Sequence, residues 1–243
     1  MEAWLILGAA VLVANCIQAA TGFGSIVIAI SIGALFLPIP AMLPVLVPLN
    51  AIITAYMVAR YYQHVQWQTF LGLILPLMIS GLAVGVFALS YLDNRYLKAL
   101  FALLVIWFAS RSLWAIYRHN SANCHHPLVT RLLVFGAGIT HGMFASGGPL
   151  LVYGLAGTTM DKAQFRATLL LVWLTMNISL TAWFAYNGKL FINADKILWL
   201  LPMVLSGAWL GNALHHRIPE LTFKKLVLAM LMITGGLLLG SSI

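Results

Sequence analysis

Residues 3–59 read AWLILGAAVLVANCIQAATGFGSIVIAISIGALFLPIPAMLPVLVPLNAIITAYMVA and contain no Asp, Glu, Lys or Arg. A transmembrane helix needs about 20 consecutive apolar residues, so this stretch is long enough to cross a bilayer more than once. Isolated segments in lipid must satisfy their backbone hydrogen bonds internally, and a helix does this. The stretch therefore predicts an all-α membrane protein.

The rest of the chain has the same character. Further runs without charged residues cover 61–92, 132–160, 167–188, 197–216 and 226–243. Of the 243 residues, 62% are hydrophobic and 7% charged, with a mean hydropathy of +0.98; a soluble domain usually has about 25% charged residues. The net charge of +8 comes from basic residues near segment ends, where we expect membrane lipids, and not nucleic acid, as partners.

Short motifs of the first half recur in the second at offsets of 125 to 127 residues. The pairs are 20–22 with 145–147, 50–56 with 177–183, 75–81 with 201–207, and 96–98 with 223–225. Because order and spacing hold along the chain, we predict an internal duplication. Residues 1–117 form the first transmembrane repeat, 118–129 the linker and 130–243 the second repeat.

Each repeat contains four hydrophobic segments, which predicts seven or eight transmembrane helices with an interrupted first helix in each repeat. If one segment per repeat is re-entrant, the repeats are inverted, and if all segments cross, they are parallel. We expect inverted repeats, because an interrupted segment can enter and leave on one side. Gly81/Gly85 and Gly207/Gly211 have the small-xxx-small spacing that lets helices pack closely.

The interruptions carry the main functional signal. The first contains Thr21, Gly22, Gly24 and Ser25, and the second reads Ser146-Gly147-Gly148-Pro149. Glycine weakens a helix, and a proline fits the first turn of a new one. Broken backbone at membrane depth faces protein or a water-filled cavity, and a new helix N-terminus offers free N–H groups to an anion. The alternative is a glycine-rich kink that serves packing only.

Two amide–hydroxyl pairs lie in the second segments. Asn50 and Thr54 are four residues apart, and Asn177 and Thr181 repeat this arrangement, so each pair shares one helix face. In hydrocarbon these groups need partners. The pairs either join helices or bind a substrate.

Two basic residues are further candidates. Arg166 lies eleven residues before Asn177 on the same predicted face, about 16 Å away, and could orient an oxyanion; the alternative is an interfacial residue that snorkels to the headgroups. His141 precedes the second break and could accept a proton, unless it is an interior histidine with its hydrogen bonds satisfied.

The sequence lacks the motifs of the common membrane and nucleotide enzymes. It has no GxxxxGK[ST], HExxH or GxSxG motif and no pair of carboxylates inside an apolar run. The linker residues Cys124, His125 and His126 match no zinc spacing. We therefore predict no enzymatic activity, no cofactor and no metal site.

The glycine-containing breaks, the asparagine-centred second segments, the LPxxxSG third segments and the duplication resemble the sulfite exporter family TauE/SafE. The likeness covers the whole chain, although Gly22-Phe23-Gly24 has fewer glycines than the family's common pattern. The resemblance implies a multi-pass protein of the inner plasma membrane that moves sulfite or a small organosulfonate outward.

We therefore expect a secondary transporter that exports a small sulfur-containing anion by alternating access. The substrate would lie between 21–25 and 146–148, flanked by Asn50, Asn177 and Arg166. The alternatives are a membrane-embedded enzyme and a structural subunit without transport activity. The sequence leaves open whether the chain acts alone or as a homodimer.

Overall fold

A computed structural model describes residues 2–21, 24–118, 126–155, 158, 160–214 and 220–242. In this part of the chain the regular structure is helical and there is no β-strand, which confirms the prediction of an all-α polytopic membrane protein. The α-helices are α1 (Glu2–Thr21), α2 (Ser25–Gly33), α3 (Ile39–Tyr61), α4 (Trp67–Thr69), α5 (Leu75–Tyr91), α6 (Asn94–Arg118), α7 (Pro127–Phe144), α8 (Gly148–Gly154), α9 (Lys162–Tyr186), α10 (Lys189–Ile192), α11 (Ala194–Leu214) and α12 (Glu220–Ser242).

Several helical stretches have the length and composition of membrane spans. They are Ile39–His64, Trp67–Tyr91, Asn94–Ile116, Pro127–Phe144 and Ala163–Tyr186, and two shorter apolar helices cover Glu2–Gln18 and Val227–Ser241. The second span joins α4 to α5 through a π-helix at Phe70–Ile74. The π-helix precedes Pro76, which has no backbone N–H to donate to the usual α-helical ladder.

Both predicted interruptions are present. In the first, α1 ends at Thr21 and α2 begins at Ser25 after Gly24, which has a φ of 99°. In the second, α7 ends at Phe144 and α8 begins at Gly148. Local sequence therefore placed both helix ends correctly.

The chain forms two compact units. Unit 1 comprises Met1–Leu43, Leu92–Ser121 and Asp195–Ile243, and unit 2 comprises Pro44–Tyr91 and Ala122–Ala194. Each unit takes segments from both sequence halves. The repeat and linker boundaries concern homology and not contact, and they stay a prediction.

Glycines bring α5 and α7 into close contact in unit 2. A Cβ added at Gly85 would meet the carbonyl oxygen of Ile139, and one added at Gly142 would lie 2.5 Å from the carbonyl oxygen of Leu82. Since these neighbours are backbone atoms, they cannot move aside as a flexible side chain can. Gly81 and Gly85 therefore have the packing role that their spacing predicted.

A related contact holds α11 against α1 in unit 1. A Cβ at Gly207 would meet the carbonyl oxygen of Leu12 and lie 3.1 Å from the Cβ of Asn15. In each unit, the third segment of one sequence half thus packs on the first segment of the other half. Unit 1 also pairs α6 with α12 and α1 with α2.

Candidate functional site

The second break lies in unit 2 and begins with an unusual backbone conformation. Ala145 has a φ of 50°, in a left-handed region that residues with a Cβ rarely adopt. Its N–H donates a hydrogen bond to the carbonyl oxygen of His141 at 2.7 Å, which closes the last turn of α7. Gly147 has a φ of −81°. An alanine, and not one of the glycines, therefore makes the left-handed turn at this break.

The two adjacent glycines of this break have different surroundings. A Cβ at Gly147 would meet the carbonyl oxygen of Ala137 and lie 3.2 Å from the Cβ of His141. A Cβ at Gly148 would lie 3.6 Å from the ring of Trp173, an ordinary contact. Gly147 is needed for close packing against α7, whereas the space at Gly148 admits a methyl group.

His141, at the last turn of α7, is the central polar residue of the break. Its exposed fraction is 1%. Its Nε2 lies 3.2 Å from Oδ1 of Asn177, and its ring stacks on Trp173 with ring centroids 5.9 Å apart and an interplanar angle of 6°. One edge and one face of the imidazole are therefore held by α9.

The hydrogen bonds determine which imidazole nitrogen carries the hydrogen. The Asn177 amide turns its oxygen towards His141, since its Nδ2–H donates to Oδ1 of Asn50 at 2.8 Å, and an amide oxygen can only accept. Nε2 of His141 must then be the donor in its contact with Asn177. In the neutral imidazole, this leaves the lone pair on Nδ1.

The amide pairs predicted from sequence meet directly. The Asn177–Asn50 hydrogen bond joins α9 to α3. Thr54 donates from Oγ1 to the backbone oxygen of Asn50 at 2.8 Å and lies 3.2 Å from its Oδ1. Asn50, Thr54 and Asn177 thus form one hydrogen-bonded chain with His141, and the Asn50–Asn177 bond serves helix association.

Three buried polar atoms have no hydrogen-bond partner within the described part of the chain. They are Nδ1 of His141, Oγ of Ser146 and Oγ1 of Thr181. Buried polar groups are nearly always paired in proteins, so each exception calls for an explanation. We refer to His141, Ser146, Trp173, Asn177 and Asn50 as the break cluster. Thr181 lies one helical turn beyond Asn177 on α9.

The first break lies in unit 1 and is less completely described. The side chain of Thr21 and all of Gly22 lie outside the described residues. Gly24 has open space around the position of a Cβ, so its left-handed φ alone accounts for the glycine. Ser25 is buried at the start of α2, as is Asn15 on α1, which donates to the carbonyl oxygen of Val11 at 2.8 Å.

Arg166 has a different environment from the break cluster. It is exposed, and its guanidinium lies over the ring of Tyr61, with Cζ 5.4 Å from the ring centroid. A cation–π contact at an exposed site contributes about 0.5–1 kcal/mol, and here it holds the guanidinium beside the last residue of α3. This placement favours the interfacial alternative that the sequence left open.

Trp173 was not among the residues predicted from sequence. It lies four residues before Asn177, so both side chains fall on one face of α9 and both contact His141. Extending the Asn177–Thr181 spacing one turn backward would have found it. In the described residues, no group of three or more His, Cys, Asp or Glu could hold a metal ion.

Comparisons with known proteins agree with this membrane architecture. A family model described as "Sulfite exporter TauE/SafE" matches residues 7–238. The "Probable inner membrane transporter protein TsaS" of Comamonas testosteroni is 29% identical over 181 residues, which cover 72% of this chain and 73% of that protein. No solved structure gives a significant match.

Proposed function

The chain belongs to the sulfite exporter TauE/SafE family, and on that premise we propose that it exports sulfite or a small organosulfonate across the inner membrane by alternating access. Membership of this family, together with the similarity to a protein named as a probable inner membrane transporter, shows that the chain is a membrane transporter and not an enzyme. The proposal adds the substrate, the direction and the mechanism.

One observation carries the proposal: the break cluster is buried, polar and incompletely hydrogen-bonded. Ser146 is 3% exposed and His141 1% exposed, yet each retains a buried polar atom without a partner. A cluster that served only to join helices would gain by pairing these atoms, because an unpaired buried polar group costs about 1–3 kcal/mol. A substrate that supplies the missing partner explains the cost.

The chemistry of the unpaired atoms suits an oxyanion. Sulfite and sulfonate oxygens accept hydrogen bonds, and they must replace their hydration when they enter an apolar interior. The Ser146 hydroxyl is a donor that requires no change of protonation. Helix α8 is only seven residues long, so its dipole is small and the side chains provide most of the proposed recognition.

The burial of the cluster also bears on mechanism. The unpaired atoms are shielded from solvent in this conformation, so a substrate reaches them only after a conformational change. The left-handed Ala145 joins α7 to α8, and such strained positions are frequent at functional sites. We assign the change in access to movement at this junction.

The remaining candidates stay proposals that rest on sequence. Thr21, Gly22, Gly24 and Ser25 are proposed as a second binding region, and Arg166 as an interfacial residue that attracts anions. Lipid contacts and a homodimer are likewise proposed. The two alternatives fit less well: a purely structural subunit needs no buried unpaired donors, and an enzyme would need a cluster of reactive groups.

Transport of labelled sulfite by the purified chain in liposomes tests the proposal. We expect Ser146→Ala to lower the initial rate about tenfold, the equivalent of one hydrogen bond of about 1.4 kcal/mol. The matched control is Ser31→Ala. Ser31 is also buried, but its Oγ already donates to the carbonyl oxygen of Val27 at 2.7 Å.

The control should transport at the rate of the unmodified chain. Equal rates for both serine variants would argue against a substrate at the break cluster. No sulfite or organosulfonate flux by the unmodified chain would remove the substrate assignment itself.

A further inference from the structure

His141 lies on α7 within residues 132–154, a stretch of unit 2 that contains no charged residue. Its ring is held on two sides, by Asn177 at Nε2 and by Trp173 at one face. Its remaining nitrogen, Nδ1, is buried without a hydrogen-bond partner in the described residues. A histidine held in this way has one defined atom at which to gain or lose a proton.

The helices around His141 carry no charge that could balance an imidazolium. Residues 44–59, 70–91, 132–154 and 167–186 of unit 2 contain no Asp, Glu, Lys, Arg or Cys. Besides His141, their titratable groups are the phenols of Tyr56, Tyr91, Tyr153 and Tyr186, which are uncharged near neutral pH. Tyr153 is half-buried, and the other three tyrosines are exposed.

The charged residues of unit 2 are confined to its helix ends and connections. They are Arg60, Arg131, Asp161, Lys162, Arg166 and Lys189. On α7, Arg131 is ten residues from His141, or about 15 Å along the helix. Unit 2 therefore offers no nearby carboxylate, and a positive charge on His141 needs a counter-ion from outside these helices.

An anion bound at this site needs a positive charge nearby, just as a protonated His141 needs a negative one. An anion in this apolar interior is unfavourable unless a positive charge compensates it. Protonation of His141 provides that charge and converts Nδ1 from a lone pair into an N–H donor. Trp173 adds to the effect, because a cation within about 6 Å of an indole centroid is attracted to its ring.

We propose that His141 binds one proton together with one oxyanion, so that the chain transports the two as a pair. The inference rests on the proposed function and adds the coupling ion and its carrier. On binding, a solvent proton forms the Nδ1–H bond, which donates to the anion, while Nε2–H still donates to Asn177. On release the Nδ1–H bond breaks, and proton and anion leave on the same side.

The internal duplication indicates a single proton site. The offset of 125 residues that aligns residues 20–22 with 145–147 also aligns Cys16 with His141. Cys16 is a free thiol, and a thiol does not become a cation by taking up a proton. The coupling is therefore one proton per anion.

Binding measured as a function of pH tests the proposal. The probe is methanesulfonate, because it keeps one negative charge and carries no proton in the range from about pH 6 to about pH 8. One proton taken up with each anion makes Kd rise about tenfold per pH unit, and the two ligands must strengthen each other's binding equally. In liposomes with a trapped pH dye, a methanesulfonate gradient should then move protons in the same direction.

Two variants distinguish His141 from the other histidines. His141→Gln retains an amide N–H for Asn177 but cannot become charged, so the Kd of methanesulfonate should lose its pH dependence. His64→Gln makes the same change at an exposed residue and should keep the tenfold slope. If sulfite binds but methanesulfonate does not, the measurement is made with sulfite. Sulfite takes up a proton itself in this pH range, so the pH dependence of its Kd is compared between the unmodified chain and His141→Gln. The difference between the two slopes is the contribution of the proton on His141.

The outcomes separate this inference from the proposed function. Transport of the probe with a pH-independent Kd in the unmodified chain overturns proton coupling and leaves anion transport intact. A slope that His141→Gln does not change overturns the assignment to His141. The first of these measurements uses the unmodified chain, so its result does not depend on whether a variant folds. Failure of sulfite and methanesulfonate to bind or move at any pH overturns both proposals.

Discussion

The two helix breaks occupy matching positions in the predicted duplication but differ in backbone and chemistry. The break in unit 1 uses a glycine, Gly24, for its left-handed residue, with open space around it. The break in unit 2 uses Ala145, and Gly147 packs there against α7. The unit 1 helix carries Cys16 where α7 carries His141.

The polar residues beside the two breaks also differ in their hydrogen-bond partners. Asn15 of unit 1 bonds to a carbonyl of its own helix. In unit 2, His141 bonds to α9, and through Asn177 the contact reaches α3. Both breaks thus interrupt a helix, as the predicted duplication requires, and in unit 2 the described residues form a polar network that joins several helices. The backbone motif and the chemistry of the site can therefore be separated by mutation.

The largest expected effect comes from forcing α7 away from α5. Gly142→Val places a side chain against backbone atoms of Leu82 and Val86, which should destabilise the chain by about 3 kcal/mol or more. The thermal midpoint in detergent, together with the yield of monodisperse protein, measures the loss.

Valine substitutions at two other glycines serve as comparisons for Gly142→Val. Gly136→Val on the same helix meets only the side chain of Leu150, 3.8 Å from the added Cβ, and should be tolerated. Gly207→Val in unit 1 meets the backbone of Leu12 and should resemble Gly142→Val. Equal midpoints for the Gly142 and Gly136 variants would contradict the packing described for α7.

A smaller effect is expected from removing one asparagine in each unit. Asn177→Ala leaves Nε2–H of His141 without its acceptor, a cost of about 1–3 kcal/mol, and should lower sulfite flux about tenfold to a hundredfold. Asn15→Ala removes only a bond to its own helix and should leave flux within about twofold of the unmodified rate. If both variants lost flux equally, the functional difference between the breaks would disappear.

The smallest effects should have opposite signs at Gly24 and Ala145, the left-handed residues described at the two breaks. Gly24→Ala adds a Cβ at a φ of 99° and should destabilise by about 1–2 kcal/mol, with no steric contribution because the surroundings are open. Ala145→Gly relieves a similar strain but increases the freedom of the unfolded chain, so a gain below about 1 kcal/mol is expected. Chemical denaturation of both variants in detergent compares them directly, and stabilisation by Gly24→Ala would refute the strain argument.

Several features were predictable because they depend on neighbouring residues in the chain. Charge-free runs of sufficient length determine membrane helices, since lipid solvates no unpaired charge. Gly24 and the sequence Gly147-Gly148-Pro149 determine where helices end, because glycine and proline act on the local backbone. The same local reasoning placed Gly81 and Gly85 at a helix contact and paired Asn177 with Thr181 on one face.

Other features depended on how residues far apart in sequence come together. Asn50 and Asn177 were each expected to need a partner, but their direct bond required α3 and α9 to pack at one register. Contact between α7 and α9, which are also distant in sequence, stacked Trp173 on His141 and left Nδ1 of His141 without a partner in the described residues.

The amino-acid sequence by itself determined a membrane-embedded helical chain with two interrupted helices, because hydrophobicity and helix termination are local properties. Tertiary structure decided that Ala145 takes the left-handed conformation, that Gly147 and not Gly148 is confined, and that Arg166 lies over Tyr61. It also placed Asn177 and Trp173 in contact with His141. Such contacts follow from the rotation and spacing of packed helices, which side chains from distant parts of the chain set together.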